Sequence, residues 1–478
     1  MHAFWPASLA LALAAPVGAF AADPTSSAFP AAASPAGLGA LHQEIQALRE
    51  AYETRLKALE QRLADAEARA PAPPAAPPAP PVAEAPAAPA PAPALAPAPA
   101  TTTAAGNANA FNPALSLILS GGFTRTSRDP ASYRIAGFQG PPDAEAGPGE
   151  RGFHLGETEL GLSASVDPWW RGAANIALAA DDTVSVEEAY VQTTALGHGL
   201  SLKLGRFFSG VGYLNPQHAH TWDFVDNPLA YQALLGGQYN DDGLQLSWLA
   251  PTDQFIEVGL ELGRGRGFPG GDNGHNGPGM AALTLHTGGD LGDSHSWRAG
   301  VSVLNARADG LGLVGTAADG SDLASAFTGR SRVWVADGVW KWAPDGNATR
   351  TSFKVQGEYL QSRRSGELTP EGADTAAYRS TASGWYLQGI YQFWPGWRLG
   401  LRTERLDAGS PDYGANAGLY ALNGHSPRKN SLVLDVSASE FSRIRLQLAQ
   451  DRARPGAADN ELMLQYQMSL GAHGAHSY

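Results

Sequence analysis

Two imidazoles and two carboxylates crowd into one run, Gln217-His-Ala-His-Thr-Trp-Asp-Phe-Val-Asp226. His218 and His220 with Asp223 and Asp226 nearby offer the ligand chemistry of zinc, which takes three or four imidazole or carboxylate ligands. Their spacing matches no specific zinc motif, so a second and plainer reading stands beside the metal: polar histidines that brace a loop against a wall. His473 and His476 form another pair near the chain end. Other chemistries are poorly served. There is no cysteine, which excludes disulfides, thiol catalysis and Cys-ligated metals. No nucleophile stands at useful spacing from a base. Gly263-Arg-Gly-Arg-Gly267 runs into Pro269 and further glycine instead of a helix, so it is no phosphate loop. The chain is therefore not expected to be an enzyme. Its net charge of -13 argues against a nucleic-acid partner.

The His/Asp run lies in the longest connection between two strand-like segments, residues 205–243. This stretch is too aromatic and apolar for a solvated loop, yet it sustains neither helical nor strand periodicity. Long ordered loops of this kind are usually functional or tucked against something. From Ala114 onward the flanking pattern has period two, as in Ile256/Val258/Leu260/Leu262, Leu432/Leu434/Val436 and Leu462/Leu464/Tyr466/Met468/Leu470. One face of each strand is apolar and the other wet. About sixteen such segments can be placed, an even number of the kind expected of an all-β transmembrane antiparallel barrel. Short turns such as Asp167-Pro168, 196–199, Pro344-Asp-Gly346 and Trp394-Pro-Gly396 alternate with long Gly/Asp/Asn-rich connections, save for a short one near Asp181-Asp182. With both barrel ends periplasmic, the long loops face outward. Trp169, Trp170, Trp297, Trp342, Trp394 and Trp397 sit near strand ends, where interfacial girdles form.

Parity then assigns the lumen side. Acids come from early strands, at Glu157, Glu159, Glu257 and Glu261. Bases come from later ones, at Arg298, Lys354, Arg398, Arg402, Arg443 and Arg445. If the long loop bends inward, Asp223 and Asp226 face the arginine side and complete a charged constriction, whose transverse field would orient polar solutes. The alternative for each charge is a local pair that merely supports the wall.

Ahead of the barrel, residues 1–21 read as a signal peptide, with an apolar core and the Ala19-Phe-Ala21 cleavage pattern. Residues 22–40 form a leader segment. Residues 41–70 carry the one long helical pattern, with Leu41, Ile45, Leu48, Tyr52, Leu56, Leu59, Leu63 and Ala66 as a coiled-coil seam. Arg55-Leu56-Lys57-Ala58-Leu59-Glu60 resembles a trimerisation pattern of coiled coils, in which Arg55 reaches Glu60 on a neighbouring helix, and this resemblance points to three subunits. Residues 71–110 are a disordered Pro/Ala-rich linker; at about 3.1 Å per residue its stretch 71–100, almost wholly Pro and Ala, spans roughly 90 Å. No apolar run beyond the N-terminus is long enough for a transmembrane helix.

The region 111–478, with its long third loop and terminal Tyr478, resembles trimeric outer-membrane porins. More closely, Phe111-Asn-Pro-Ala-Leu-Ser-Leu-Ile-Leu-Ser120, Gln217–Asp226 and Gly471-Ala-His-Gly-Ala-His476 resemble a proteobacterial barrel family with an N-terminal coiled coil, whose members are often labelled zinc-regulated TonB-dependent outer-membrane receptors. The resemblance implies a homotrimer in the Gram-negative outer membrane, with its coiled coil in the periplasm. The receptor label implies a larger barrel behind a globular plug, whereas here a coiled coil and spacer fill that place. A porin for passive diffusion of small hydrophilic solutes or ions is thus expected, with no bound cofactor unless zinc binds. A zinc-linked uptake receptor or channel is the alternative. Lesser ones are an envelope tether that touches the cell wall through the coiled coil and an outer-membrane enzyme.

Overall fold

A computed structural model of the chain describes residues 113–471 apart from 143–145, 180–182, 272–273, 275 and 422–423. The chain divides into two units, Met1–Pro93 and Ala94–Tyr478. The expected signal peptide, leader, coiled coil with Arg55 and Glu60, linker, and terminal His473, His476 and Tyr478 lie outside the described residues.

Seventeen strands follow in order: Ala114–Thr126 (β1), Gly152–Leu155 (β2), Thr158–Ser165 (β3), Trp170–Leu178 (β4), Val184–Thr193 (β5), Leu200–Phe208 (β6), Asn240–Leu249 (β7), Phe255–Gly263 (β8), Met280–Leu291 (β9), His295–Thr316 (β10), Asp322–Trp342 (β11), Ser352–Pro370 (β12), Ala376–Trp394 (β13), Trp397–Asp407 (β14), Arg428–Ser439 (β15), Ser442–Asp451 (β16) and Asp459–Gly471 (β17). Each pairs antiparallel with its neighbours, and β1 pairs with β17, so the sheet closes on itself. Both β2 and β3 pair with β1, with Phe153 opposite Phe123 and Leu160 opposite Leu117. Only Gly156 and Glu157 separate them. They are one interrupted stave, which leaves the sixteen staves of a closed barrel. A Cβ on Gly156 would lie 2.4 Å from Ser120 Oγ and 3.0 Å from its Cβ, so a larger residue at the interruption would require Ser120 to shift.

Alternation sorts the faces as the period-two pattern demands. Leu119, Trp248, Leu283, Leu285, Leu387, Leu401, Leu446 and Leu464 point outward and are exposed. Inward positions carry Ser120, Thr124, Glu188, Gln356, Gln388, Ser431, Gln447 and Gln467, all buried. Such a polar inside and apolar outside invert the arrangement of a water-soluble sandwich. A file of rings, His295–Trp340–Phe353–Tyr391–Phe393–Trp397, with centroids 5.5 to 6.5 Å apart, crosses β10 to β14 beside the short turns.

Two expected boundaries are corrected. Residues 305–330 and 363–381, which the period-two pattern leaves between strands as long connections, are mostly strand: β10 and β11 are joined by 317–321, and β12 and β13 by 371–375. Past the apolar belt the outward positions become Arg307, Arg330, Arg332, Arg363 and Arg379, so alternation fades although the ladder of backbone hydrogen bonds continues. The expected loop 205–243 also shortens to 209–239 as β6 and β7 extend into it.

Candidate functional site

Loop 209–239 folds into the barrel and is fastened there limb by limb. Its first limb leaves β6 toward β8, where Glu261 accepts from Ser209 Oγ at 2.5 Å and from the Gly210 amide at 2.8 Å. It continues past β10, with the Gly212 amide donating to Ser302 Oγ at 3.2 Å. On β12, buried Glu358 accepts four hydrogen bonds: from the amides of Tyr213 and Leu214 at 3.0 Å each, from Tyr231 OH at 2.8 Å and from Tyr386 OH at 2.6 Å. Gly212 has φ of 71°, and a Cβ there would meet Glu358 Oε2 at 2.3 Å, so the amides approach only because the residue is glycine. Asn215 ties the two ends of the loop together. Its Nδ2 donates to the carbonyls of Ser209 and Tyr239, and its Oδ1 accepts from the Tyr239 amide at 2.8 Å.

The second limb runs along the inner wall from β5 to β14. His218 Nδ1 lies 3.3 Å from both Glu159 and Glu187, and its Nε2 lies 3.0 Å from Glu188 and 2.9 Å from the Asn175 amide. His220 Nδ1 is 2.7 Å from Glu159 Oε2. Beyond the histidines the partners change sign. Arg443 donates to the carbonyl of His220 at 2.5 Å, and Arg445 to those of Trp222 and Phe224 at 2.7 and 2.8 Å. Asp223 meets Lys354 in direct contact, Arg398 at 3.3 Å and Gln388 at 3.1 Å. Asp226 meets Arg402 at 2.7 Å, Lys429 at 2.8 Å and Gln447 at 2.7 Å. One short stretch thus docks histidines on acids and aspartates on bases.

The return limb is apolar. Leu229–Leu235 (α1) is helical and wholly buried against Leu304, Val333, Val335, Leu360, Tyr386 and Leu406 of the wall. Its first amide donates to Glu404 Oε2 at 2.5 Å, and Gly236 closes its C-terminus in the left-handed conformation. A helix this short does not stand alone in water. The wall makes it, which is why the sequence showed no helical period there.

Burial and charge set the protonation of the loop. Burial alone would push the Asp223 carboxyl up, but Lys354 and Arg398 outweigh it and hold it at about 2. Asp226 is likewise held well below the usual carboxylate range, Arg402 and Lys429 overcoming its burial. Burial opposes a charge on His218, yet its hydrogen bonds to Glu187 and Glu188 and the charge of Glu159 raise it well above the ordinary imidazole range.

The remaining expected residues fall as follows. Glu157 offers a carboxylate oxygen within 4.8 Å of those of Glu159 and Glu187. Glu257 lies 3.9 Å from His286, and the Arg298 guanidinium sits 5.3 Å from the centre of the Tyr213 ring. Acids on β3 and β8 and bases on β10 to β16 do occupy different parts of the wall. Asp223 and Asp226, however, touch the bases directly and are buried, so no open water separates these opposite charges. Sequence reasoning missed Glu187, Glu188, Glu358, Lys341, Lys429 and Asp435. Asp435 bonds Arg398 at 2.8 Å, and Lys429 bonds Asp226 and, at 2.7 Å, Glu461. The signal for Asp435 was present, since it lies between the outward Leu434 and Val436.

No family model matches the chain. A protein of Aquifex aeolicus (strain VF5), described as an uncharacterized protein, is 32% identical over 404 residues, covering 77% of this chain and 80% of its own length. This chain belongs to the same family. Among solved structures, the outer membrane channel DcaP of Acinetobacter baumannii is 12% identical, with a TM-score of 0.47 over 75% of this chain and 97% of its own. OmpT of Vibrio cholerae, an outer membrane protein solved in trimer form, is 12% identical, with a TM-score of 0.45 over 75% of this chain and 99% of its own. Salmonella typhi OmpF in complex with daunomycin is 11% identical, with a TM-score of 0.43 over 76% and 99%. At such identities and scores the likeness bears on neither solute nor mechanism.

Proposed function

We propose that the chain is a pore of the Gram-negative outer membrane that passes small hydrophilic solutes by diffusion, with loop 209–239 as its constriction. The observation that carries this reading is a closed barrel, apolar outside and polar inside, whose longest loop is pinned within the lumen by charges of both signs. An apolar exterior with every strand paired suits a bilayer, which tolerates no free sheet edge. A lumen lined by charge admits solutes that keep their water and rejects those that cannot replace it.

The half-buried charges suggest a sign preference. Arg298, Lys341, Lys354 and Arg398 come from four staves, and Lys341 stands directly across from Lys354. Among the acids, Glu157 and Glu257 are half-buried as well, while the half-buried Glu187 is paired with His218, so the bases outnumber the acids. Anions are therefore the favoured cargo. Three copies assemble through the helical seam at 41–70, where Arg55 and Glu60 pair between chains. The test is single-channel recording of the refolded full-length protein under a salt gradient, with subunit number measured with and without residues 41–70. Expected are current steps in threes and a reversal potential displaced toward the anion. A folded, heat-modifiable protein with no conductance overturns the pore; a cation-directed reversal potential overturns only the preference.

A further inference from the structure

The docking of the histidines has a chemistry that a pore alone does not require. Three glutamates from two staves, Glu159 on β3 with Glu187 and Glu188 on β5, converge on two imidazoles carried by a loop. One nitrogen of each ring, with a carboxylate oxygen of Glu159, lies within 4.8 Å of the others. Around a tetrahedral zinc, ligand bonds of about 2.0–2.1 Å place neighbouring ligand atoms about 3.3 Å apart. His218 Nδ1 lies 3.3 Å from Glu159 Oε1, the separation such an ion spans, and His220 Nδ1 lies closer, 2.7 Å from Glu159 Oε2.

The outer partner is also present. A metal-bound imidazole commonly gives its other N–H to a carboxylate, which fixes its tautomer and direction. His218 turns Nδ1 toward Glu159 and Glu187 while its Nε2 lies 3.0 Å from Glu188. His220 is steadied through its backbone, whose carbonyl accepts from Arg443 and from Gln467 at 3.1 Å. The rings stack with centroids 5.5 Å apart, and Phe208 closes on His218 edge-on at 5.3 Å. Imidazole with carboxylate is the donor set of borderline divalent ions, and it disfavours calcium and magnesium, which want oxygen alone.

We propose that Glu159, His218 and His220 bind a divalent transition-metal ion of the zinc type, with Glu188 orienting His218 and the fourth position left to water. Two ligands come from the loop and one from the wall, so the ion staples the loop to β3. Binding does not depend on whether the barrel conducts.

The experiment uses the refolded full-length protein stripped with a chelator. Zinc binding is followed by calorimetry, and cobalt(II) substitution reports geometry through its visible spectrum. The parent is expected to bind one ion per chain at this site, with a tetrahedral cobalt spectrum. His218→Ala with His220→Ala should abolish that ion. Glu188→Gln, which keeps every proposed ligand, should weaken it by about 10–100-fold. His198→Ala, in a turn between β5 and β6, should change nothing. Heat modifiability checks that each variant is folded. Absence of saturable zinc binding overturns the proposal, as does binding that survives the double substitution, which would put the ion elsewhere. An octahedral cobalt spectrum overturns the assigned ligand set. A chelated protein that conducts like the parent but binds zinc as described leaves the site standing.

Discussion

Replacing Asp223 by asparagine should loosen the loop without altering the barrel. Asp223 sits among Lys354 on β12, Gln388 on β13 and Arg398 on β14, with Lys341 and Arg443 acting at longer range and Asp435 sharing Arg398. A carboxyl held at about 2, against an ordinary 3.8, has its ionised form favoured by about 2.5 kcal/mol in the docked loop. That energy corresponds to a roughly 60-fold rise in the undocked population when the charge is removed. The docked value is the depressed one, so this contribution is complete above about pH 4 and is lost as pH falls from there toward 2. The assay is single-channel noise as a function of pH. Asp223→Asn should flicker at neutral pH as the parent does only near pH 2, and its anion preference should rise because Lys354 and Arg398 lose a counter-charge. Acidification should then change the variant far less than the parent. Parent noise that is level from pH 7 to pH 2, or a variant as quiet as the parent at pH 7, would refute the latch.

Three further outcomes can be checked. Leu234→Ala removes a side chain buried between α1 and the wall and should cost about 2–5 kcal/mol of loop docking, read as faster proteolysis within 209–239 while the barrel stays heat-modifiable. Glu358→Gln confronts four donors with an amide, leaving at least one buried donor unsatisfied; a loss of about 1–3 kcal/mol should show in the urea midpoint, whereas an unchanged midpoint would mean water replaces the carboxylate. Leu401→Arg places a charge on an outward position that is 63% exposed and should cost about 2–4 kcal/mol of folding into lipid vesicles, with little loss in detergent.

The barrel was legible because its pattern is regular. Alternation at Leu432/Leu434/Val436 or Leu462/Leu464/Tyr466 reports a wall with one wet and one apolar side, and the structure realises it. The same rule failed at β10 and β11 above Arg307 and Arg330, where outward positions such as Asp309, Ala324 and Thr328 are polar or small and the apolar Leu313 and Phe327 face inward. It was also blind to Glu358 and Lys429, since parity can place a charge inward without saying what it meets. The His/Asp run was visible as chemistry but not as geometry. Nothing local in Gln217–Asp226 tells that its first half would find glutamates of β3 and β5 and its second half the cations of β12, β14 and β15. Such partners are set by closure of the sheet, which brings β16, β17, β1 and β3 into sequence around the wall.

The wall beneath α1 also limits how such a pore can be remade. Leu304, Val333, Val335, Leu360 and Leu406 point inward, on staves that already carry Trp334, Tyr359 and Leu401 outside. β10, β11, β12 and β14 therefore bear apolar side chains on both faces, and the loop is the lining that keeps the inner ones dry. Cutting out 209–239 would not yield a broader water channel. It would bare a greasy strip down one side of the lumen, where water films thin and break, and on which a folding chain with no helix to lay there could stick to a neighbour. Changes of selectivity thus have freedom at the charged second limb and very little at the helix.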